Sequence, residues 1–401
     1  MTDILIVGGG HVGRTLLVDL ISSQEIHGKD PRLLFFRSNE VDVKNRIAEA
    51  SGTVKFEKVL SASTMHVEVD PSLFSSFDDP RAAEAISTAS VIFITVPDIP
   101  ALRLEIFRKL GADFDLRDKT IVLVKAGQAT QPVVAEMIRR GHPLADADVI
   151  FAESFYGTRA EQESIVGNRK LSINISILSR DPARALDKLR GCFPLGDRIG
   201  KPSWPDFTVL SGVDLVFSAT AYFLHVAIVL HPRNFALTQA GVQYNHYLDG
   251  IDRSLAQKLD AIDRERVALG RVYGVELERF PEVLNRQYGL PILPNFYDMM
   301  QSCREVYKSM ASPKSVELLQ RSRHILEDVP ALYTIEWLMQ RAGIAMPATA
   351  AYVAEVNKAL SSLDIDQTAL TVHRPLLAEI QGGPQAIVNL LNAPHRTAAA
   401  T

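Results

Sequence analysis

The stretch 5-LIVGGGHVGRTLL-17 decides the fold, because it places a Gly-x-Gly-x-x-Gly pattern between a predicted strand and a predicted helix. Glycines at this spacing allow a tight turn, a close approach of the backbone to a pyrophosphate and close packing of helix on strand. The N-terminus of the helix then faces the negative phosphates. The pattern predicts a dinucleotide-binding turn, and its predicted cofactor-binding residues are Gly8, Gly10, His11, Val12 and Gly13.

The first half of the chain alternates apolar runs with amphipathic segments. Runs rich in Val and Ile, with little alternation of polar residues, favour strands buried on both faces of a parallel sheet. Strand, helix and strand in succession predict an α/β domain of the Rossmann type with a doubly wound parallel sheet. The predicted strands are 3–8, 32–38, 91–97, 120–127, 148–155 and 171–179.

Helical periodicity replaces the strands after 200-GKPSWPDF-207, where two prolines and a glycine indicate a linker. We therefore predict a cofactor-binding domain over 1–203 and a mainly α-helical domain over 204–401 that carries the substrate site. Helices are expected at 252–274, 313–325 and 347–363.

An apolar segment, 209–230, is long enough to span a membrane, but Asp214 and His225 are costly in lipid. It is predicted to be a buried helix, or two.

Composition excludes several classes of function. The formal net charge is −4 and no basic run is present, which argues against a nucleic-acid partner. The two cysteines lie far apart, so neither a disulfide framework nor a thiolate metal site is indicated, and a reducing cytoplasm fits. The N-terminus begins a strand at once and shows no signal-peptide pattern. We expect a cytoplasmic protein without a metal or a membrane partner.

The end of the second predicted strand bears on the choice of cofactor. An NAD-binding domain places an acidic residue there for the ribose hydroxyls, whereas this strand ends in FFRS. A guanidinium suits a 2′-phosphate, and a hydroxyl adds a hydrogen bond. NADP(H) is therefore predicted as the preferred cofactor, with NAD(H) as the alternative, and Arg37, Ser38 and Lys44 as its ligands. The competing interpretation is that Arg37 is simply a solvated residue after a strand.

Two later strands end in 95-TVPDIPA-101 and 125-KAGQATQ-131. Ligands of such sheets lie beyond the carboxyl ends of the strands, so both loops are predicted to line the nicotinamide end. Pro97 is included among the predicted cofactor contacts.

Opposite charges stand five residues apart in 321-RSRHILEDVPALYTIEW-337, beside a proline. The plain interpretation is a helix start, with Asp328 as N-cap, Pro330 in the first turn and Gly343 ending the helix. Among ten histidines, His231 stands out, because it ends a long apolar stretch and precedes a proline. His is well suited to proton transfer near neutral pH. His225 is the local competitor, and a structural role at a helix end is the alternative.

These stretches resemble the opine dehydrogenases over most of the chain. The resemblance rests on GGGHVG, the pair His231–Pro232, the helix 258–276 and 323-RHILEDVP-330, which is similar to an Arg-x-x-x-Glu-Asp-x-Pro signature. It implies a substrate site formed by His231, Arg323 and Asp328. The break before Pro330 would let Arg323, ending one helix, and Asp328, starting the next, point into one cleft.

One branch of that family makes opine metallophores, as the staphylopine-type enzymes do. The stretch 149-VIFAESFYGTRAE-161 is similar to a loop of that branch and makes Tyr156 a predicted substrate contact. The branch carries an Asp between the Gly and the Thr, but here Thr158 follows Gly157 directly. The segment 323–330 is more similar to the amino-acid opine enzymes.

The resemblance implies an NADPH-dependent reductive condensation of an amino-acid-like amine with an α-keto acid, in a protein expected to be a homodimer. Arg323 would bind a carboxylate, His231 would exchange protons, and Asp328 would orient the imidazole. Two alternatives stay open. One is a keto-acid reductase of the ketopantoate reductase type, for which Lys125 is the candidate catalytic lysine. The other is a non-catalytic NADP-binding sensor.

Overall fold

The computed structural model describes residues 3–22, 24, 28–36, 55–58, 61–65, 70–77, 79–125, 128–161, 164–170, 172–193, 205–308 and 310–392. An eight-stranded sheet forms its centre. The strands of this sheet are β1 Ile4–Val7, β2 Pro31–Phe35, β5 Phe74–Ser76, β6 Val91–Ile94, β7 Thr120–Val124, β8 Asp148–Ala152, β11 Ser172–Leu178 and β12 Asp206–Val209. Their order across the sheet is β12-β11-β8-β7-β6-β1-β2-β5.

Six neighbouring strands of this sheet, in the spatial order β5-β2-β1-β6-β7-β8, are mutually parallel. This is the order of a doubly wound sheet. All six predicted strands are found in this sheet, and the predicted fold class is confirmed. One detail differs: β11 runs antiparallel to β8, and β12 then pairs with β11 in parallel. The sheet thus takes its last strand, Asp206–Val209, from beyond the expected boundary at 203.

A second sheet was not predicted. Its four strands are β3 Lys55–Lys58, β4 Ser61–Met65, β9 Tyr156–Glu161 and β10 Ser164–Arg169. They lie in the order β4-β3-β10-β9 and are joined by backbone pairing between neighbours. Their sequences contain no apolar run of the kind that predicted the strands of the first sheet.

Five α-helices accompany the described strands: α1 His11–Ser22, α2 Pro80–Thr88, α3 Pro100–Asp113, α4 Gln131–Arg139 and α5 Pro182–Arg190. Short 3₁₀ turns lie at Pro71–Leu73 and Pro143–Asp146. After β12, the regular elements of the described chain are α-helices. Its helices are α6 Gly212–Ser218, α7 Ala221–Leu230, α8 Pro232–Gln239, α9 Arg253–Val272, α10 Phe280–Tyr288, α11 Phe296–Ser302, α12 Arg304–Tyr307, α13 Val316–Gln320, α14 Arg323–Leu326, α15 Asp328–Ala342, α16 Pro347–Ser361, α17 Gln367–Thr371, α18 Arg374–Glu379 and α19 Pro384–Asn392.

The apolar stretch at the start of the helical domain is its central element. Gly212–Leu230 is long and apolar enough to cross a membrane, but 67% of it is buried inside the protein. It divides into α6 and α7, as the sequence allowed, and α7 packs against α9, α15 and α16. Because this segment is surrounded by other helices on several sides, its apolar side chains are those of a buried core helix.

The final helix ties the two domains together. Helix α19 packs against α4 of the sheet domain and against α6 of the helical domain. Gln131 of α4 also donates a hydrogen bond from Nε2 to the carbonyl oxygen of Gly212, at 2.8 Å. Both contacts join the two domains directly.

The turn after β1 explains why its first and last glycines are needed. Gly8 has φ +126°, which only glycine adopts readily. A Cβ on Gly13 would lie 1.9 Å from the carbonyl oxygen of Gly8, so any side chain there would push α1 away from β1. A Cβ on Gly10 would meet nothing within 4 Å.

The glycines at positions 10 and 13 give a matched pair of variants. We expect Gly13→Ala to lower the free energy of unfolding by about 1–3 kcal/mol, as overpacking does. Gly10→Ala should change stability little, because its Cβ points into open space. Thermal unfolding of both variants measures the difference, and equal melting temperatures would contradict the close approach described for Gly13.

Candidate active site

The cofactor side of the site is built from the β1–α1 turn and the neighbouring strand end. The hydroxyl of Thr95, after β6, donates to the carbonyl oxygens of Gly8 and Val7, at 3.0 and 3.3 Å. Gly10 and His11 are exposed at the N-terminus of α1, and Val12 lines the cleft. A glycine turn without Cβ atoms, facing a helix N-terminus, fits the pyrophosphate of a nicotinamide dinucleotide.

Other predicted cofactor contacts have different outcomes. Pro97 is exposed, two residues past Thr95. Arg37, Ser38 and Lys44 lie outside the described residues, so the predicted preference for NADP(H) stays a prediction.

A buried arginine fixes the loops that face this turn. Arg103 of α3 is 0% exposed, and its guanidinium donates to the carbonyl oxygens of Val96, Val124 and Lys125 at 2.9–3.2 Å. It also forms an ion pair with Asp98, 3.1 Å from Nη1 to Oδ1. Burial raises the pKa of Asp98, and the charge of Arg103 opposes that rise. One side chain thus holds the carboxyl ends of β6 and β7 together.

A cleft between the domains opens beside these strand ends. Its open space, including the mouth, is about 1290 Å³. The sheet domain contributes Val12, Asp98, Lys125, Gln128, Glu153 and Lys170, and the helical domain contributes His225, Tyr247, Tyr288, Tyr307, Arg323, Glu327 and Asp328.

A histidine–carboxylate pair lies in this cleft. His225 Nδ1 is 2.8 Å from Asp328 Oδ2, and His225 Nε2 is 2.7 Å from the hydroxyl of Tyr247. With Asp328 ionised, the arrangement requires Nδ1 to carry the proton and Nε2 to accept from Tyr247. All three side chains are nearly inaccessible to solvent.

The structure places the two candidate histidines differently. His225 lies in the middle of α7, whereas His231 ends that helix, is half-buried and is not among the residues that line the cleft. Six residues turn an α-helix by about 600°, so the two side chains leave on different faces. The His–Pro pair marks the junction of α7 with α8. The sequence signal for His225 was its position inside an apolar helix, where an ionisable group is costly.

The segment around Asp328 also differs from expectation in one respect. Glu327 is the N-cap of α15, and Asp328 is its first residue, so the Asp328 carboxylate is directed to His225. Pro330 lies in the first turn and Gly343 ends the helix at φ +65°, both as predicted. Arg323 begins the short helix α14 instead of ending a longer one.

Arg323 presents a positive charge to the cleft. Its side chain lines the cleft and is exposed to solvent there. Within the part of the chain that the structure describes, no carboxylate oxygen lies within the 4.0 Å of an ion pair to its guanidinium. The structure therefore brings Arg323 and Asp328 into one cleft, as the sequence predicted.

Burial and charge set the ionisation of the pair. Burial lowers the pKa of His225, and Arg323 and Lys125 add to this effect, while Asp328 opposes it. Burial alone would raise the pKa of Asp328, but the charge and hydrogen bond of His225, with Lys125 and Arg323, bring it below its usual value. A neutral imidazole therefore rests beside an ionised carboxylate near neutral pH.

Two further histidines lie behind this pair. His246 and His324 stack with ring centroids 4.6 Å apart, and burial lowers the pKa of both. The ligand atoms of His225, His324 and Asp328 lie within 4.8 Å of one another, close enough to hold a metal ion. The charges of Arg323 and Lys125 act on the same groups and would oppose a divalent cation there.

Tyr156 lines the cleft, but its polar group is turned away from it. The hydroxyl donates to Asp19 Oδ2 of α1 at 2.7 Å, and Arg169 forms an ion pair with the same carboxylate. The side chain thereby joins β9 to α1. Its predicted contact with substrate would be made by the ring.

The comparisons with known proteins agree with this architecture. Residues 211–360 match the family model described as the alpha-helical domain of NAD/NADP octopine/nopaline dehydrogenase. Octopine dehydrogenase with NADH and L-arginine is similar over 98% of each chain, at 16% identity and TM-score 0.67. A second octopine dehydrogenase structure, with NADH and pyruvate, covers 90% of this chain and 89% of its own, at 17% identity and TM-score 0.61.

A third similar structure is dimeric ketopantoate reductase from Staphylococcus aureus. It covers 90% of this chain and 99% of its own, at 11% identity and TM-score 0.53. No curated protein sequence matches the chain.

The glycine turn, the doubly wound sheet and the interdomain cleft define an NAD(P)-dependent oxidoreductase. Residues 211–360 thus form a helical domain of the octopine/nopaline dehydrogenase type, and the whole chain has the fold of octopine dehydrogenase. The resemblance seen in the sequence is confirmed at this level.

The ionisation of His225 can be tested without any substrate. We expect its imidazole to titrate below the ordinary value of about 6.5. In Asp328→Asn the pKa should fall further, because the carboxylate that favours the protonated ring is lost. Histidine carbon NMR over a pH series measures both, with His225→Gln assigning the signal. His142, whose pKa burial also lowers, should not respond to Asp328→Asn, and a rise for His225 would contradict the pairing.

Proposed function

We propose that this protein catalyses the NADPH-dependent reductive condensation of an amino-acid-like amine with an α-keto acid. The observation that carries the proposal is the exposed Arg323 guanidinium beside the His225–Asp328 pair, at the carboxyl edge of the sheet. A guanidinium without a carboxylate partner among the described residues is a site for the carboxylate of a substrate.

The chemistry divides into two balanced steps. The amine nitrogen adds to the keto carbon, water leaves, and a C=N bond forms. The imine carbon then accepts a hydride and the imine nitrogen gains one proton, which gives a secondary amine with two carboxylates. When bound, the nicotinamide supplies the hydride, and the turn Gly8–Gly13 with the N-terminus of α1 would hold its pyrophosphate.

The proton transfers fall to His225. Its Nε2 meets the Tyr247 hydroxyl, which lines the cleft, so a proton can pass between the imidazole and the reacting oxygen through that hydroxyl. Asp328 holds the Nδ1 proton and stabilises the imidazolium that forms when His225 accepts a second proton. The neutral resting state of His225 suits it to remove the proton that the attacking amine must lose.

Several finer features of the proposal come from sequence. Arg37, Ser38 and Lys44 favour NADP(H) over NAD(H). The resemblance of 149–161 to the metallophore branch makes an aminobutyrate-extended histidine one amine to test. The solved octopine dehydrogenase complexes with L-arginine and with pyruvate make those two compounds the others.

A keto-acid reductase of the ketopantoate reductase type is the second candidate. Lys125 favours it, because that lysine lines the cleft near the acid–base pair and such enzymes rely on a catalytic lysine. The two candidates differ in one requirement: the reductase needs only the keto acid.

The decisive assay follows NADPH oxidation by absorbance with pyruvate, oxaloacetate, α-ketoglutarate or glyoxylate, each with and without a panel of amines. We expect oxidation only when both partners are present. The imine needs an amine, and the free keto acid lacks the nitrogen that the cleft is proposed to position. Oxidation with a keto acid alone would instead establish the reductase. Tight NADPH binding without turnover under any condition would favour the sensor.

The assignment of the histidine has its own matched pair of variants. We expect His225→Gln to lower kcat/KM by about 10²–10⁴, the usual contribution of general acid–base catalysis. His231→Gln should stay within a few-fold of the unaltered protein, because His231 does not line the cleft. NADPH affinity, measured by fluorescence, should be kept in both. Loss of turnover in His231→Gln with activity retained in His225→Gln would return the catalytic role to His231.

A further inference from the structure

The proposed reaction joins two molecules that each carry a carboxylate. Its product therefore holds two carboxylates on either side of one secondary amine. A guanidinium engages one carboxylate through two parallel hydrogen bonds. Arg323 can thus serve one substrate, and the other needs a second cation in the same cleft. The need for this second cation rests on the proposed function.

Lys125 lies on the side of the cleft where the cofactor binds. It follows β7 directly, and Val12 of the glycine turn lines the same cleft. Strand β7 neighbours β6, which neighbours β1, and ligands of doubly wound sheets lie beyond this edge. Lys125 lines the same cleft as His225 and Asp328 and forms an ion pair with Glu327, the residue before Asp328.

The backbone at Lys125 is held in an unusual conformation. Its φ is +58°, in the left-handed region that favours glycine. The carbonyl oxygen of Lys125 accepts from Arg103 Nη2 at 3.2 Å, and that nitrogen also holds Val124 and Val96. Backbone strain of this kind persists where surrounding contacts enforce it and is frequent at ligand-binding positions. At the end of β7, the residue in this conformation is a lysine and not the glycine that the conformation favours.

A buried carboxylate positions the ammonium group. Glu327, 4% exposed, forms an ion pair with Lys125 Nζ from the opposite domain and directly precedes Asp328 in sequence. An ammonium has three donors, so a pairing with one carboxylate leaves donors for a second.

Lys170 is the other lysine of the cleft, and it is placed differently. Burial lowers the pKa of Lys170, and the nearby carboxylate of Glu153 opposes this change. Glu153 lies just past β8 and also contacts Arg286 of α10 at 3.4 Å, so this end of the cleft is already an ion-pair cluster. Lys125 is therefore the better-placed cation for the acid–base pair.

We propose that Lys125 binds the carboxylate of the α-keto acid, while Arg323 binds the carboxylate of the amine. The carbon that accepts hydride is bonded directly to the keto acid's carboxylate. That carboxylate must therefore lie near the nicotinamide, on the side of the sheet domain, where Lys125 is. Arg323 comes from the helical domain, across the cleft.

The test uses a charge change on each partner. Lys125→Met keeps an unbranched side chain only one atom shorter and removes the charge. We expect the KM for pyruvate to rise about tenfold or more, because charge-assisted hydrogen bonds are lost. The KM for the amine should change less than about threefold. Lys125→Arg should recover part of the affinity. With methyl pyruvate, whose carboxylate is neutralised, Lys125→Met and the unaltered protein should perform alike.

A matched control comes from the other end of the same strand. Lys119, just before β7, donates from Nζ to the carbonyl oxygens of Ser87 and Ala89 at 2.8 and 3.0 Å. Lys119→Met should alter stability without altering either KM. Lys125→Gly guards against a folding failure, since glycine accepts φ +58° without strain. It should melt no lower than Lys125→Met and still lose pyruvate affinity.

Three results would overturn the assignment. They are a rise in the KM for the amine alone, an unchanged KM for pyruvate, or continued discrimination between pyruvate and its methyl ester in Lys125→Met. Pyruvate titrated into the NADPH complex, followed by fluorescence, gives the same comparison without turnover. If the unaltered protein bound pyruvate there through Lys125 but never used an amine, the proposed condensation would fail while this binding role stood.

Discussion

The guanidinium of Arg103 is the interaction on which the cofactor edge of this protein depends. Three backbone carbonyl oxygens, from the ends of β6 and β7, converge on one buried charge, and Asp98 neutralises it. A buried charge is tolerated only when it is paired and hydrogen-bonded. Removing Arg103 would leave Asp98 as an unpaired buried charge and free both loops. The position of Lys125, and hence one wall of the cleft, depends on this arrangement.

The opposite wall depends on α7. An apolar helix buried among α9, α15 and α16 carries one imidazole, His225, to the cleft. Helix α15 begins at Asp328, so its first carboxylate meets that imidazole across the helix packing. The Lys125–Glu327 ion pair then joins this wall to the sheet domain. The His225–Asp328 pair, the Lys125–Glu327 ion pair and the carboxyl edge of the sheet are in this way held by secondary-structure elements of two domains, which is the positional control that the proposed reaction needs.

Much of the fold could be predicted because its signals are local. The apolar runs of the parallel strands, the glycine spacing after β1 and the Pro330 and Gly343 boundaries of α15 each depend on residues close in sequence. The antiparallel strand β11 and the added strand β12 could not be predicted, because a buried run of Ile and Val is compatible with either direction. The strands of the second sheet have no strong apolar pattern and depend on pairing partners far along the chain.

For the site, the sequence by itself determined that a glycine turn at Gly8–Gly13 joins a strand to a helix, and the family resemblance implied that Arg323 and Asp328 belong to one cleft. Only the tertiary structure decided which histidine joins them. His225 and His231 lie on one helix, and the face that packs toward Asp328 is set by contacts with α9, α15 and α16, not by the neighbouring proline. Likewise, the pairing of Lys125 with Glu327 joins residues about two hundred positions apart. Helix periodicity limits which residues share a face, but only the packing of α7 among neighbouring helices determines which face meets Asp328.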